Sequence, residues 1–322
     1  MAKTRFLSLM VCITLVTAFL GCVSTQQRQS TSEHVDDAEV RAKLRAEIVE
    51  EKLSLKTADG LTLTALLARP AGGGPFPAVM INHGSAGPIK EWQIWTRKLA
   101  EKGYVSLALT FRGYPGSEGT ETYGKKEVED ILMALAYLKN LPFVDKERLG
   151  MFGNSKGAFN ALLASTRTSD LKAVVVWGAW ADMVAAYRYS LTQQSVHPSQ
   201  FMRDAASRHV KIIGGKPEVV PEEWRIRSAI NYVDNVTAAV LILHGGKDSF
   251  APVELVLPFA ETLRRQGKNV DVKVYPGEEH GLFAFTLPPQ GQSHSWVASR
   301  ETAHDVWIRA TAFLDKILKA EQ

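Results

Sequence analysis

The sequence predicts an α/β fold in which a mainly parallel central sheet carries helices on both faces and a helical insertion late in the chain. Three observations predict it. Short apolar strands alternate with amphipathic helices through most of the 322 residues. The strands are unbroken apolar runs rather than in–out alternations, as in sheets covered on both sides. Apolar residues make up 45% of the chain, enough to fill the interior that such a sheet needs.

Taken in order, the chain opens with Lys3 and Arg5 ahead of a nearly unbroken apolar run, residues 6–20. The run is shorter than the ~20 residues a membrane-spanning helix requires, and it predicts a secretory leader. Its end, Phe19-Leu20-Gly21-Cys22, resembles a bacterial lipoprotein signal, with Phe19 where that pattern favours leucine. The resemblance implies that residues 1–22 are a signal peptide and that Cys22 is acylated and becomes the new N-terminus. Val23 then implies the periplasmic face of the outer membrane, with plain secretion as the alternative. Residues 23–35 are polar and without apolar anchors, so they are expected to form a flexible tether. Val40, Leu44 and Ile48 lie on one helical stripe and predict a helix over 36–51.

The body runs from there to residue 322. Alternation in 52–57 and 61–68 around Ala58-Asp59-Gly60 predicts a hairpin. Apolar strands are expected at 78–82, 105–110, 149–152, 173–177, 239–243 and 270–275. Helices are expected at 91–102, 128–141, 156–165, 253–266 and 299–318. Residues 181–235 interrupt the alternation and are rich in aromatic and arginine residues, among them Tyr187, Tyr189, Phe201, Arg208, Trp224 and Arg227. They read as a mostly helical lid broken at Pro198, Pro217 and Pro221. Its aromatics either line a substrate pocket or pack the lid onto the body.

In parallel sheets of this kind, ligands sit beyond the carboxyl ends of the strands, so the residues there are the candidates. The strand at 149–152 runs into Gly153-Asn154-Ser155-Lys156-Gly157, which opens a helix. This is a nucleophile elbow: a turn so tight that only small residues fit two places either side of the serine. Ser155 is therefore the candidate nucleophile. The strand at 239–243 ends in His244-Gly245-Gly246-Lys247-Asp248, and the strand at 270–275 leads to Glu278-Glu279-His280-Gly281. A serine needs a base in hydrogen-bond reach and an acid to hold that base's tautomer, so His280 and Asp248 take these roles. Asp182 is the alternative acid. His244 is expected to bond loop backbone, Glu278 and Glu279 to be solvated, and Ser85 and Ser117 lack the elbow spacing. Two backbone N–H groups must hold the oxyanion. Lys156 supplies one, and Ser85 or Ala86 of the loop His83-Gly84-Ser85-Ala86-Gly87 supplies the other.

With these residues placed, the chain from about residue 52 onward resembles the α/β-hydrolase superfamily. Within it, the chain looks like the branch of dienelactone hydrolases and prolyl oligopeptidase catalytic domains. The resemblance rests on His83-Gly84, Phe111-Arg112-Gly113-Tyr114-Pro115-Gly116-Ser117, the elbow, His244-Gly245-Gly246-Lys247-Asp248 and Glu279-His280-Gly281. Two departures qualify it. Dienelactone hydrolases use a cysteine where Ser155 stands, and prolyl oligopeptidases carry a large β-propeller, which is not expected in the residues before 52.

Composition excludes other classes. The formal charge is +4, and without Lys3 and Arg5 it would be +2, so no nucleic-acid partner is expected. Cys12 and Cys22 are the sole cysteines, which leaves the folded body without a disulfide or thiolate site. Eight histidines show no metal-ligand spacing, and neither metal nor cofactor is expected. The expected activity is that of a serine hydrolase, first of a small carboxylic ester and second of a short peptide. A catalytically silent lipoprotein that binds a partner through its lid is the third reading.

Overall fold

The structure is a computed structural model that describes residues 48–87, 90–281 and 299–319. Cys22, the leader, the tether and residues 36–47 of the expected helix lie outside the described residues. Residues 48–51 do not continue a helix. They begin strand β1 (Ile48–Lys56), which pairs antiparallel with β2 (Thr62–Pro70) from Ile48 opposite Pro70 to Lys56 opposite Thr62. Val49, Glu50 and Glu51 are exposed on this edge strand, so no apolar alternation marks it as one.

The remaining strands are β3 (Phe76–Asn82), β4 (Val105–Leu109), β5 (Val144–Asn154), β6 (Leu171–Trp177), β7 (Ala239–Gly245) and β8 (Val270–Tyr275). Among the described residues they form one sheet in the order β1-β2-β4-β3-β5-β6-β7-β8. β2 runs antiparallel to both its neighbours, and every pairing from β4 to β8 is parallel. Successive side chains of a strand point to opposite faces, and the core divides accordingly. Met80, Met151, Val174, Val176 and Ile242 pack on one face, whereas Val79, Ile81, Phe152, Val175, Trp177 and Leu243 pack on the other.

The helices that cover these faces are α1 (Lys90–Glu101), α2 (Lys125–Lys139), α3 (Lys156–Ser165), α4 (Met183–Gln193), α5 (Gln200–Arg203), α6 (Ala205–Ile213), α7 (Pro221–Arg225), α8 (Leu257–Arg265) and α9 (Arg300–Leu318). All ten residues of α3 are buried, including Phe159, Leu162 and Leu163. Each such side chain contributes roughly 1.5–3 kcal/mol on burial, so the helix behind the elbow is anchored by packing. The expected helix over 253–266 is divided: a 3₁₀ turn, Val253–Leu255, precedes α8. Pro221 begins α7 rather than breaking a helix, because a first-turn residue needs no N–H partner. Two of the inserted aromatics pack inward, Tyr187 and Trp224, buried with ring centroids 5.0 Å apart, whereas Phe201 stays exposed.

Candidate active site

The carboxyl ends of β5, β7 and β8 meet at one place. Ser155 directly follows β5 and heads α3 with φ 52° and ψ −120°, a conformation that costs a non-glycine residue about 1–3 kcal/mol. Neighbouring backbone holds it there: Ser155 N–H donates to Trp177 O at 2.8 Å and Phe159 N–H to Ser155 O at 3.0 Å. The flanking glycines are a mechanical necessity. A methyl group on Gly157 would stand 2.1 Å from Asn82 O, and one on Gly153 would stand 2.4 Å from Gly157 O. The elbow thus seats its helix directly on the end of β3.

His280 lies just beyond β8 and bridges the other two residues. Its Nε2 is 2.8 Å from Ser155 Oγ and its Nδ1 is 2.7 Å from Asp248 Oδ2. Burial alone would push the Asp248 carboxyl up, but the charge of His280 and hydrogen bonds from His244 and His280 outweigh it and hold the group well below the usual carboxylate range. Asp248 is therefore an anion and an acceptor. The imidazole presents Nδ1–H to it and leaves Nε2 free to accept the serine proton. The carboxylate itself is fixed: Oδ1 accepts from Phe250 N at 3.0 Å and from Ala251 N at 2.7 Å.

Residues that pattern reasoning passed over complete the surroundings. Gly178, just after β6, lies against the imidazole, where a methyl group would be 2.9 Å from His280 Cε1. Trp177 Nε1 donates to His280 O at 3.1 Å, and the Phe250 ring stacks on the His280 ring with centroids 5.2 Å apart. His197 of the insertion meets Phe250 edge-on at 5.1 Å, and Tyr189 OH donates to Ser249 O at 2.8 Å. The insertion is thus fastened to the loop that carries the acid. A glycine directly after a strand was the one local signal for Gly178; for the others the sequence carried none.

The competing candidates have other occupations. Asp182 caps α4, accepting from Val184 N and Ala185 N. His244 is fully buried, with Nε2 2.7 Å from Ala251 O and 3.3 Å from Asp248 Oδ2, so it steadies the acid as well as the loop backbone. Glu278 and Glu279 are not simply solvated. Glu279 accepts from Ser249 N and Oγ, and Glu278 accepts from Ser299 and Thr302 at the start of α9. Ser117, in the loop after β4, donates to Thr110 O and accepts from Thr64 N of β2.

The loop after β3 approaches the serine. A methyl group on Gly84 would be 3.3 Å from Ser155 Cβ. Burial pushes the His83 imidazole down to about 4, so it is neutral near pH 7; it donates through Nδ1 to Gly84 O and accepts at Nε2 from Phe111 N–H. Lys156 directly follows the serine and opens α3, and Ser85 and Ala86 lie in the loop after β3. Together these groups can accept a proton from a hydroxyl, deliver the oxygen to a carbonyl carbon and meet the charge that develops. Among the described residues no three histidine, cysteine, aspartate or glutamate side chains gather as a metal site. An open cavity of about 730 Å³, lined by Lys125, Arg167, Thr168 and Tyr232 among others, lies beyond the far end of α3 and includes none of the three central residues.

The profile of the prolyl oligopeptidase family matches residues 91–320. The chain is 29% identical over 236 residues to the uncharacterized peptidase YtmA of Bacillus subtilis, a match covering 72% of this chain and 84% of that protein. It is 28% identical over 261 residues to the uncharacterized peptidase YuxL of the same organism, covering 75% of this chain and 37% of that one. Pyrococcus horikoshii acylaminoacyl peptidase has the same fold at TM-score 0.69 and 22% identity, covering 89% of this chain and 44% of the other. The chain therefore spans less than half the length of two of these three proteins.

Proposed function

The chain belongs to the prolyl oligopeptidase family and is a serine hydrolase, and from that premise we propose that it cleaves short peptides through an acyl-enzyme on Ser155. The observation that carries the acyl-enzyme on Ser155 is the hydrogen-bonded relay from Ser155 through His280 to Asp248. In the first step His280 Nε2 takes the hydroxyl proton while Ser155 Oγ bonds to the carbonyl carbon. The carbonyl oxygen, now negative, is received by the N–H of Lys156 and by that of Ser85 or Ala86. The carbon–nitrogen bond then breaks, and the amine leaves with the proton from His280. Water repeats the sequence: His280 takes its proton, the oxygen attacks the acyl carbon, and Ser155 leaves with that proton restored.

The residues alone favoured an ester as first substrate, and the relay hydrolyses either bond. What supports the peptide is family membership, together with YtmA and YuxL, both named as peptidases. A panel of p-nitrophenyl esters and aminoacyl p-nitroanilides tests the order. Turnover of the anilides at a kcat/KM at least equal to that of the esters is expected; turnover of esters alone would reverse the assignment.

We also propose that acylation of Cys22 tethers the protein to the outer membrane. The Phe19-Leu20-Gly21-Cys22 sequence supports this. Cys22→Ser is expected to abolish metabolic incorporation of palmitate, and a variant that still takes up the label would refute the tether.

A further inference from the structure

The reaction above uses the backbone N–H of Lys156 and leaves its side chain without a role. Its side chain is 1% exposed, yet it carries a charge. Burial opposes that charge, but Glu121, Tyr114 and Glu127 outweigh it and hold the pKa above the ordinary lysine value. Nζ is 2.6 Å from Glu121 Oε1 and 3.3 Å from Tyr114 OH, and it lies 4.8 Å from the Tyr114 ring centroid. Glu121 is partly exposed, so solvent screens the pair, and burying the Lys156 charge costs much of what the attraction returns. Its use must be sought in what it connects.

Each end of the pair is held independently. Glu121 begins the segment leading into α2, and that segment is pinned by buried Glu127, which accepts from Thr122 N at 2.7 Å and from Gly124 N at 2.9 Å. Tyr123 within it has a left-handed φ of 54°, and its hydroxyl is 2.9 Å from His209 Nε2 of α6. On the other side, the Tyr114 ring lies across the loop after β3. A methyl group on Gly87 would be 3.1 Å from its Cδ1, and its centroid is 4.7 Å edge-on from the His83 ring. The Lys156 backbone offers one oxyanion donor, and the 83–87 loop offers the other. The Lys156 side chain reaches from the first to the residue that supports the second.

We infer that the Lys156 ammonium, anchored by Glu121, is a positioning group that sets the spacing of the two oxyanion donors by bracing Tyr114 against the 83–87 loop. The inference rests on the reading of Ser155 as nucleophile. The donors must lie at hydrogen-bond distance from where the oxyanion forms, and a displacement of about 1 Å costs on the order of 100-fold in rate. Loss of the brace weakens binding of the tetrahedral state while leaving the ground-state complex largely intact.

The test compares Lys156→Met, which keeps the backbone donor and nearly the same length, with Glu121→Gln, which keeps the shape of its partner. For p-nitrophenyl butyrate, kcat is expected to fall about 10- to 100-fold in both, with KM changed less than about 3-fold. Affinity for butylboronic acid, whose serine adduct places a tetrahedral oxygen in the hole, is expected to fall in parallel with kcat/KM. Where Lys156→Met fails to fold because Glu121 is left unpaired, the double variant Lys156→Met/Glu121→Leu removes both charges and is expected to fold without recovering kcat. Boronate affinity equal to that of the parent in folded Glu121→Gln, or parental kcat in the double variant, would overturn the brace. Fluorophosphonate labelling of the parent protein reports on Ser155 separately, so failure of the brace is distinguishable from failure of the nucleophile assignment.

Discussion

Ser155→Ala is expected to abolish fluorophosphonate labelling and to lower kcat by about a hundred-thousand-fold or more, while the protein melts within a few degrees of the parent. The contrast follows from what holds the elbow. Its strained backbone is secured by main-chain bonds to Trp177 and Phe159, by the seating of Gly157 on β3 and by the buried helix α3. None of these uses the hydroxyl. Oγ is engaged with His280 Nε2, a bond whose loss costs the fold about 1 kcal/mol. Without Oγ no acyl-enzyme forms, and what remains is the modest catalysis of oriented water and oxyanion donors. Gel-based labelling, turnover of the ester and anilide panel, and a thermal melt check the three parts. A labelled variant, or one within a hundredfold of parental activity, would require another nucleophile.

The second large effect is expected from Asp248→Asn, about a ten-thousand-fold loss in kcat, or roughly 5.5 kcal/mol of transition-state stabilisation. The reason is a tautomer. Oδ1 is held by the N–H groups of Phe250 and Ala251, so an asparagine at this position keeps its carbonyl oxygen there and turns Nδ2 toward His280. Two donors cannot face each other, so the imidazole moves its proton to Nε2 and loses the lone pair that would accept from Ser155. Because the parent carboxyl is held far below its ordinary value, the acid limb of the rate profile is not set by Asp248. Steady-state kinetics across pH on the folded variant make the check, and activity within tenfold of the parent would remove Asp248 from the relay.

The fold and the elbow were legible because their signals are local. A strand, a glycine-flanked serine and a helix occupy consecutive residues, and an apolar run reports burial on both faces without reference to any partner. The limits of that reading appear at β1. Ile48 fits a helical stripe with Val40 and Leu44, yet pairing with Pro70 makes it a strand, and an exposed edge leaves no periodic trace of pairing. Pro221 shows the same limit, since a proline reads identically whether it starts a helix or ends one. Glu278 and Glu279 read as solvent-facing, whereas their partners, Ser249, Ser299 and Thr302, reach them through the fold.

The sequence by itself determined the sheet-and-helix order, the elbow and the three strand-end loops from which Ser155, Asp248 and His280 come, because each is encoded in a few adjacent residues. Only the tertiary structure decided which side chains from distant segments close on them. The imidazole rests between Gly178 and Phe250, the acid is bonded by His244, and a buried lysine beside the nucleophile finds Glu121 and Tyr114. Those contacts depend on packing across a sheet whose order differs from chain order. A burial or hydrogen bond of that kind leaves no imprint at either residue alone.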